Sequence, residues 1–416
     1  MYNTFDHNLR FLWSIFKDFR NQIDPVEISL KQVLKLFCDS WLLEEFYQVI
    51  SIDHHYQRSP SRSDYANGSY SRSLLTTMGA ISLSVPRARN SSITFSLFKK
   101  YQRRSLSVDQ AVAYALIFGL STRNASKFFK KLFPDFSISA SLASSIFARF
   151  NASLQSWLNR TLKSKPKILV LDAVHIKGSS IYRKSAAPVL FAYALYPNGY
   201  EEILSFQPAR SESANAWGSF LSNLASRGLT CPDLIVSDMA PGIISAVATV
   251  FPSSKHQICI FHLIKEFSRL LSDYFKSIPY DKKKPANIKK ILNPIVKDLQ
   301  FVFQATTLQS CYARMKHFLA KYKKYHHTNA FKLLFSHLDA SMYYFSLEKH
   351  WHPAARTTNR LERIFSEIKR RTKPIARFPN PLSMQRYIFA MIRAGTLPTF
   401  NPISKPNQPL VKEVNL

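Results

Sequence analysis

The sequence contains no apolar run approaching the roughly 18 residues that a membrane-spanning helix requires. Its first ten residues, MYNTFDHNLR, lack the apolar segment of a secretory signal. Both absences lead to the expectation of a soluble, intracellular chain. Paired cysteines are lacking too. The four present, Cys38, Cys231, Cys259 and Cys311, lie far apart with no CxxC spacing, which suits a reducing compartment. Acidic side chains are scarce: 26 Asp and Glu face 57 Lys and Arg, a formal net charge of +31 spread along the whole chain. Such a surface repels itself unless a polyanion neutralises it. Nucleic acid is the expected partner, and an anionic membrane surface is the alternative.

At 416 residues and 46% hydrophobic content, the chain can bury at least one large core and form two or three domains. It is organised around KILVLDAVHIKG, where Ile168 to Leu171 run unbroken into Asp172, the pattern of a strand buried on both faces. An unpaired carboxylate there costs several kcal/mol. Asp172 is therefore expected to face a cleft, a partner or a metal ion; the alternative is a carboxylate satisfied by hydrogen bonds at the strand end. Strand signals follow at Pro188 to Tyr196 and Tyr200 to Gln207, joined by the turn Pro197-Asn198-Gly199. A helix over 211–227, the strand DLIVSD ending in Asp238, a helix over 241–251 and a strand over 255–261 complete a mixed sheet. Asp238 then lies at a strand's carboxyl end, where open sheets place ligands. In TTNRLERIFSEIKRRTK a helix buries Leu361, Ile364, Phe365 and Ile368; Glu362 flanks that stripe, and Glu367 points elsewhere, towards pairing with Arg363 or Arg371. Two strand-end aspartates and a helix glutamate are oxygen donors of the kind Mg2+ takes.

Before this sheet, residues 1–50 read as one or two amphipathic helices, and 53–73 as a polar loop or linker whose His54 and His55 match no zinc pattern. A short hairpin over 74–89 turns at Met78-Gly79, alternates Ile81, Leu83 and Val85 inward, and ends beside Arg87 and Arg89. Three short helices follow: one through Ala111 to Leu116, one capped by Ser121 or Thr122 with the stripe Ala125, Phe128, Phe129, Leu132, and one capped by Ser139 or Ser141. In so basic a chain they resemble helix-turn-helix modules, although helical hairpins also serve as scaffold. Residues 263–352 form a basic, helical insertion. Its aromatic residues Phe301, Phe303, Tyr312, Phe318, Tyr322 and Tyr325 interleave with lysines and suit either a small core or contact with a phosphate backbone and stacked bases. The spacing CxxH of Cys259 and His262 offers two zinc donors with no partner pair in sight, so Cys259 reads as core and His262 as an active-site-edge or DNA-contacting residue. His175 and Trp351 divide between scaffold and substrate contact.

With NGSYSRSLLTTMGAISLSVPRAR, GLSTR, LDAVHIKG, SESANAWGSFLSNLASRGL, DLIVSDMAPG, FPSSKHQICIFHLIKEF and TTNRLE in this order, the chain resembles the Mutator-type DDE transposases of bacterial insertion sequences from about residue 65 to 395. The resemblance implies an α/β fold: a ribonuclease-H-like mixed-sheet catalytic core, an all-α insertion, and an N-terminal, mainly helical DNA-binding region. The implied boundaries are 1–165 for DNA binding, 166–262 for the first part of the core, 263–352 for the insertion, 353–395 for the final core helices and 396–416 for a tail. It also implies a catalytic, metal-binding triad of Asp172, Asp238 and Glu362 holding two Mg2+ ions, with Mn2+ able to substitute. The implied reaction is metal-dependent DNA cleavage and strand transfer on double-stranded element ends and target. DNA contacts are expected at Arg87, Arg89, Arg123, Arg149, His262, Lys282, Lys283, Lys284, Lys369, Arg370 and Arg371. A homodimer or higher assembly on DNA and a cytoplasmic, nucleoid-associated location are expected as well. The sequence departs from the family in having Ala173 after the first aspartate, Met239-Ala240 after the second, and only 9 glycines. The alternatives are a transposase-derived DNA-binding protein without chemistry and a structure-specific nuclease on the same fold.

Overall fold

The computed structural model describes residues 25–52, 62–134, 138–162, 165–177, 186–278, 284–375, 378 and 380–398. The chain divides into two compact units, Met1–Ile146 and Phe147–Leu416.

In the first unit the helix α1 (Pro25–Ile50) buries Cys38, Leu42, Phe46 and Ile50. Four-residue spacing puts them on one stripe. That stripe packs with Ile81, Leu83 and Val85 of an antiparallel hairpin, β1 (Ala66–Thr76) and β2 (Gly79–Ala88). The turn is where the sequence places it, and Gly79 adopts φ +100°, a conformation that costs glycine little. The strand β1 begins well inside the stretch expected to be loop. Its outward positions Ser69, Ser71 and Ser73 are polar, and its apolar half, Leu74 and Leu75, lies at one end, so alternation is legible only once β2 is paired beside it. Asp64 fastens the hairpin's base by accepting from the backbone N–H groups of Tyr65, Asn90 and Ser91; the Ser91 side chain first, and then these amides, hold its carboxyl down at about 2.

The three expected helices are present: α2 (Leu106–Ile117) capped by Ser105, α3 (Thr122–Leu132) capped by Ser121, and α4 (Ala140–Ala148), preceded by Ser139, whose hydroxyl accepts from Leu142 N. On α3 only Ala125 and Phe129 are buried, whereas Phe128 and Leu132 are exposed. The stripe is thus narrower than its spacing suggests, since neighbours cover only the part nearest Ala125.

The second unit is built on a five-stranded mixed sheet of order β5-β4-β3-β6-β7. Strands β3 (Ile168–Lys177), β4 (Ala186–Leu195) and β5 (Glu201–Pro208) run antiparallel in succession; β6 (Leu234–Ser237) and β7 (Lys255–Ile258) add on parallel to β3. Residues 168–171 are fully buried because helices cover both faces. On one face lie α6 (Ala214–Ser226), with Trp217, Phe220, Leu221 and Leu224, and α7 (Pro241–Val250), with Ile243 and Val247. On the other, Phe365 of α12 (Asn359–Thr372) meets Phe191 edge-to-face at 5.1 Å. The helix α5 (Asn151–Leu158) sets Trp157 between Phe206 and Phe389 of α13 (Pro381–Arg393). Residues 151–160 therefore pack on this unit, although the sequence reading groups them with the N-terminal region.

Between β7 and α12 lies the helical insertion: α8 (Ile260–Ser277), α9 (Lys284–Phe303), α10 (Leu308–Lys321) and α11 (Asn329–Ser336), then short helical turns. Phe267, Phe318 and Phe331 form its aromatic core. Of the interleaved aromatics, Phe303, Phe318 and Tyr322 are buried and Phe301 and Tyr312 exposed, so the segment has both a core and an aromatic outer surface. The strand expected to reach Phe261 stops at Ile258. Cys259 ends the extended backbone and α8 starts at Ile260, which moves His262 into a helix's first turn.

Candidate active site

Strand β3 pairs with β6 from Ile168–Leu234 as far as Val170–Val236, so Asp172 lies two residues beyond the last parallel pair and Asp238 one residue beyond the end of β6. Beyond that pair β3 has no partner on the β6 side, and both aspartates lie on the carboxyl side of the parallel pairing, where open sheets place ligands. The backbone there is tied together: Cys259 N donates to Ser237 O at 2.7 Å, and Ile260 N to Arg356 O at 2.9 Å, joining β6, the start of α8 and the approach to α12.

Asp172 is half-buried, and its carboxyl is pushed up to about 7, first by burial and then by the negative charges of Asp238 and Glu362. Hydrogen bonds from Ala173 N, at 2.8 Å, and from the Thr358 hydroxyl oppose this rise. Thr358 is fully buried. Its amide donates to the Cys259 thiol at 3.4 Å and its carbonyl accepts from Glu362 N at 3.1 Å, so it connects Asp172, Cys259 and the first turn of α12. Cys259 is accordingly a buried core residue whose thiol accepts from backbone, with its own pKa raised by burial.

Asp238 is fixed by its Oδ1 accepting from Ala240 N at 3.1 Å. On its flank stands Glu212, whose carboxyl is raised by burial and by the charge of Asp238, and whose Oε1 lies 3.6 Å from His175 Nε2. The loop carrying Glu212 approaches because position 242 is glycine: a Cβ there would lie 2.8 Å from Glu212 O and 2.9 Å from Ala214 N.

Glu362 projects from the first turn of α12. His262 Nε2, from the first turn of α8, lies 3.5 Å from its Oε1. One ligand atom each from Asp172, His262 and Glu362 lie within 4.8 Å of one another, a grouping able to hold a metal ion. Burial lowers the His262 pKa against the opposing pull of Glu362 and Asp238, which favours the neutral imidazole. Two residues before Glu362, Arg360 makes a bidentate ion pair with the buried carboxylate of Glu201 on β5, which also accepts from the Tyr193 hydroxyl at 2.6 Å. This pair pins the start of α12 to the sheet.

Thr358, Glu212, Arg360 and Glu201 were not singled out by sequence reasoning. Thr358 and Arg360 stand in TTNRLE and Glu212 in SESANAWGSF, yet nothing local distinguishes them from a cap or a surface charge. Among the remaining expected residues, Arg87 and Arg89 lie on the first unit, Arg87 exposed over the Tyr70 ring at 4.5 Å, and Arg123 is exposed on α3. Arg149 is exposed on the second unit. Lys369 and Arg370 are exposed on α12, but Arg371 is buried, and both arginines bond Glu367. The guanidinium of Arg371 thus faces protein. Glu367 has Arg370 and Arg371 as its partners, where the spacing suggested Arg363 or Arg371. Lys284 opens α9, and Lys282 and Lys283 lie outside the described residues. Trp351 is buried, which makes it scaffold; His175 is exposed beside Glu212.

Comparison with known proteins gives this geometry a family. A family model described as "Transposase, Mutator family" matches residues 15–396. The transposase for insertion sequence element ISRM5 of Rhizobium meliloti is 29% identical over 336 residues, covering 80% of each chain. The transposase for insertion sequence element IS256 in transposon Tn4001 of Staphylococcus aureus is 29% identical over 340 residues, 81% of this chain and 82% of that one. The transposase for insertion sequence element IS905 of Lactococcus lactis is 24% identical over 368 residues, 88% and 86% of the two chains. A chain with a mixed α/β unit and carboxylates gathered beside its sheet, matched over nearly its whole length, thus belongs to the Mutator family of transposases.

Proposed function

We propose that the protein acts as an insertion-sequence transposase whose Asp172, Asp238 and Glu362 form the catalytic, metal-holding triad of a ribonuclease-H-like core. The observation that carries this reading is the convergence, just beyond the parallel pairing of β3 and β6, of carboxylates far apart in the sequence, with Asp238 and Glu362 close enough to raise the proton affinity of Asp172. Uncompensated acids packed together in a chain of net charge +31 suit a divalent cation. The helical insertion between Asp238 and Glu362 and the mixed sheet agree with the same core.

Two Mg2+ ions, or Mn2+ in their place, would be held by Asp172, Asp238 and Glu362. When bound, such ions activate a hydroxyl nucleophile and stabilise the leaving oxygen of a phosphodiester. The protein's own contribution is positional. The hydrogen bonds of Asp172 to Ala173 N and Thr358 orient its carboxylate, Ala240 N orients that of Asp238, and the Arg360–Glu201 pair sets the helix that presents Glu362. Double-stranded DNA, as element ends and target, is the substrate. The exposed arginines of both units and the basic insertion bind its backbone, and two or more copies assemble on it.

The test uses DNA carrying the sequences that flank this coding region. Asp172→Asn, Asp238→Asn and Glu362→Gln should each abolish strand cleavage in Mg2+ and leave DNA binding within a few-fold of wild type, since each removes charge and little shape. Cleavage at near wild-type rate by any of the three would refute the triad. Glu367→Gln, whose carboxylate pairs with Arg370 and Arg371 on the same helix, is the control and should still cleave.

A further inference from the structure

We infer that His262 is a direct metal ligand, so that the ion held by Asp172 and Glu362 sits in a mixed nitrogen and oxygen shell; this rests on the proposed triad. The spacing of the donors suits one cation. Metal–ligand bonds of about 2.1 Å put neighbouring donors about 3.0 Å apart and opposite donors about 4.2 Å apart. Nε2 of His262 lies 3.5 Å from Glu362 Oε1, and the three donors of Asp172, His262 and Glu362 lie within 4.8 Å of one another. Side-chain shifts of roughly half an ångström would close this set around one ion.

The hydrogen bonds of the imidazole leave Nε2 free to meet a cation. Nδ1 is buried and has no partner among the described residues. Nε2, at 3.5 Å, is too far from Glu362 for a good hydrogen bond. An imidazolium would meet the positive end of α8, an 18-residue helix in whose first turn the residue lies. A cation between Nε2 and Glu362 would take the Nε2 lone pair and leave the ring proton on Nδ1, so ion binding itself would select the tautomer. The residue is held rigidly for this: Cys259 accepts from the His262 amide through its thiol, and its own amide is bonded to Ser237 O, so the turn moves with the end of β6.

A nitrogen donor changes which ion the site prefers. Mg2+ takes oxygen almost exclusively, whereas Mn2+, although the weakest binder of the first-row divalent series, accepts an imidazole beside its carboxylates. Removing the ring should therefore weaken Mn2+ binding by roughly tenfold or more while changing Mg2+ binding little.

The experiment loads the full-length protein with Mn2+, measures affinity from the free-ion electron paramagnetic resonance signal, and records pulsed spectra for 14N coupling. Wild type, His262→Ala, Asp172→Asn and Glu362→Gln are compared, with circular dichroism to confirm folding. The expected result is a directly bound nitrogen in wild type that disappears in His262→Ala, with tight binding abolished in both carboxylate variants. Bound Mn2+ that depends on Asp172 and Glu362 but shows no nitrogen coupling in wild type would overturn the inference and leave the triad standing; this reading does not depend on the His262→Ala variant folding. Coupling that persists in His262→Ala would overturn it likewise. Mn2+ affinity equal in wild type, Asp172→Asn and Glu362→Gln would remove the triad reading and this inference with it.

Discussion

Asp172 bears two opposed demands. To hold a cation its carboxylate must be ionised, yet burial and the charges of Asp238 and Glu362 push its pKa up to about 7. A carboxyl whose folded pKa lies above its unfolded value stabilises the fold fully below the unfolded pKa, near 4, and loses that contribution as pH rises through the folded one. Between about pH 4 and pH 7 the metal-free protein should therefore lose stability on account of this residue. Asp172→Asn should raise the metal-free stability at pH 8 by on the order of 1–3 kcal/mol, allowing for solvent screening of a half-buried carboxylate, and the gain should vanish near pH 4. Denaturation in a chelator at both pH values checks this; equal stability of the two proteins at pH 8 would show that the carboxylate is well solvated. The Ala173 amide and then the Thr358 hydroxyl moderate this conflict, because their hydrogen bonds favour the charged form.

Among the elements, α12 carries the most consequence. Its apolar stripe of Leu361, Ile364, Phe365 and Ile368 is buried as the periodicity implies, and hydrophobic burial decides which face meets the sheet. Burial alone leaves the helix free to slide or tilt by fractions of a turn. The bidentate bond of Arg360 to Glu201, reinforced by Tyr193, removes that freedom at the end where Glu362 projects. Arg360→Gln strands a buried carboxylate and should cost about 3–5 kcal/mol, whereas adding Glu201→Gln should recover much of the stability. Thermal melting of the two single variants and the double variant measures the coupling. Additive losses would mean that the pair contributes nothing specific.

At the scale of the whole molecule, 57 basic against 26 acidic side chains set the long-range behaviour. No helix among the described residues is long and apolar enough to cross a membrane. In the insertion, Lys282 and Lys283 precede Lys284, the first residue of α9, in the sequence, and the neighbouring α10 places Arg314 over the exposed Phe301 ring at 4.0 Å. Replacing the three lysines with Gln should lower affinity for element-end and random DNA by a similar factor. It should also flatten the slope of log K against log salt by up to about one unit for each phosphate that is no longer neutralised. An unchanged slope would mark the cluster as a solvated face.

The elements were legible in the sequence because their signals are local. An apolar run ending in a carboxylate marked β3 and β6, Met78-Gly79 and Pro197-Asn198-Gly199 marked turns, and Ser121 marked a cap. The place of Asp238 just past β6 follows from such a run, whereas Asp172, expected at a strand end, lies inside β3 because pairing with β4 continues to Lys177. Periodicity tells which face of a helix is buried, but neither how much of it a neighbour covers nor which distant residue it meets. Hence Phe128 and Leu132 are exposed on a stripe that looked complete, and the serine-rich β1 looked like loop until β2 lay beside it. The same limit governs the site. That a buried threonine would join Asp172 to Cys259, that Gly242 would let Glu212 approach Asp238, and that His262 would stand 3.5 Å from a glutamate far along the chain are outcomes of tertiary packing. Each depends on the relative placement of whole strands and helices, which is fixed by the summed burial of the core and by a few buried polar bonds across it.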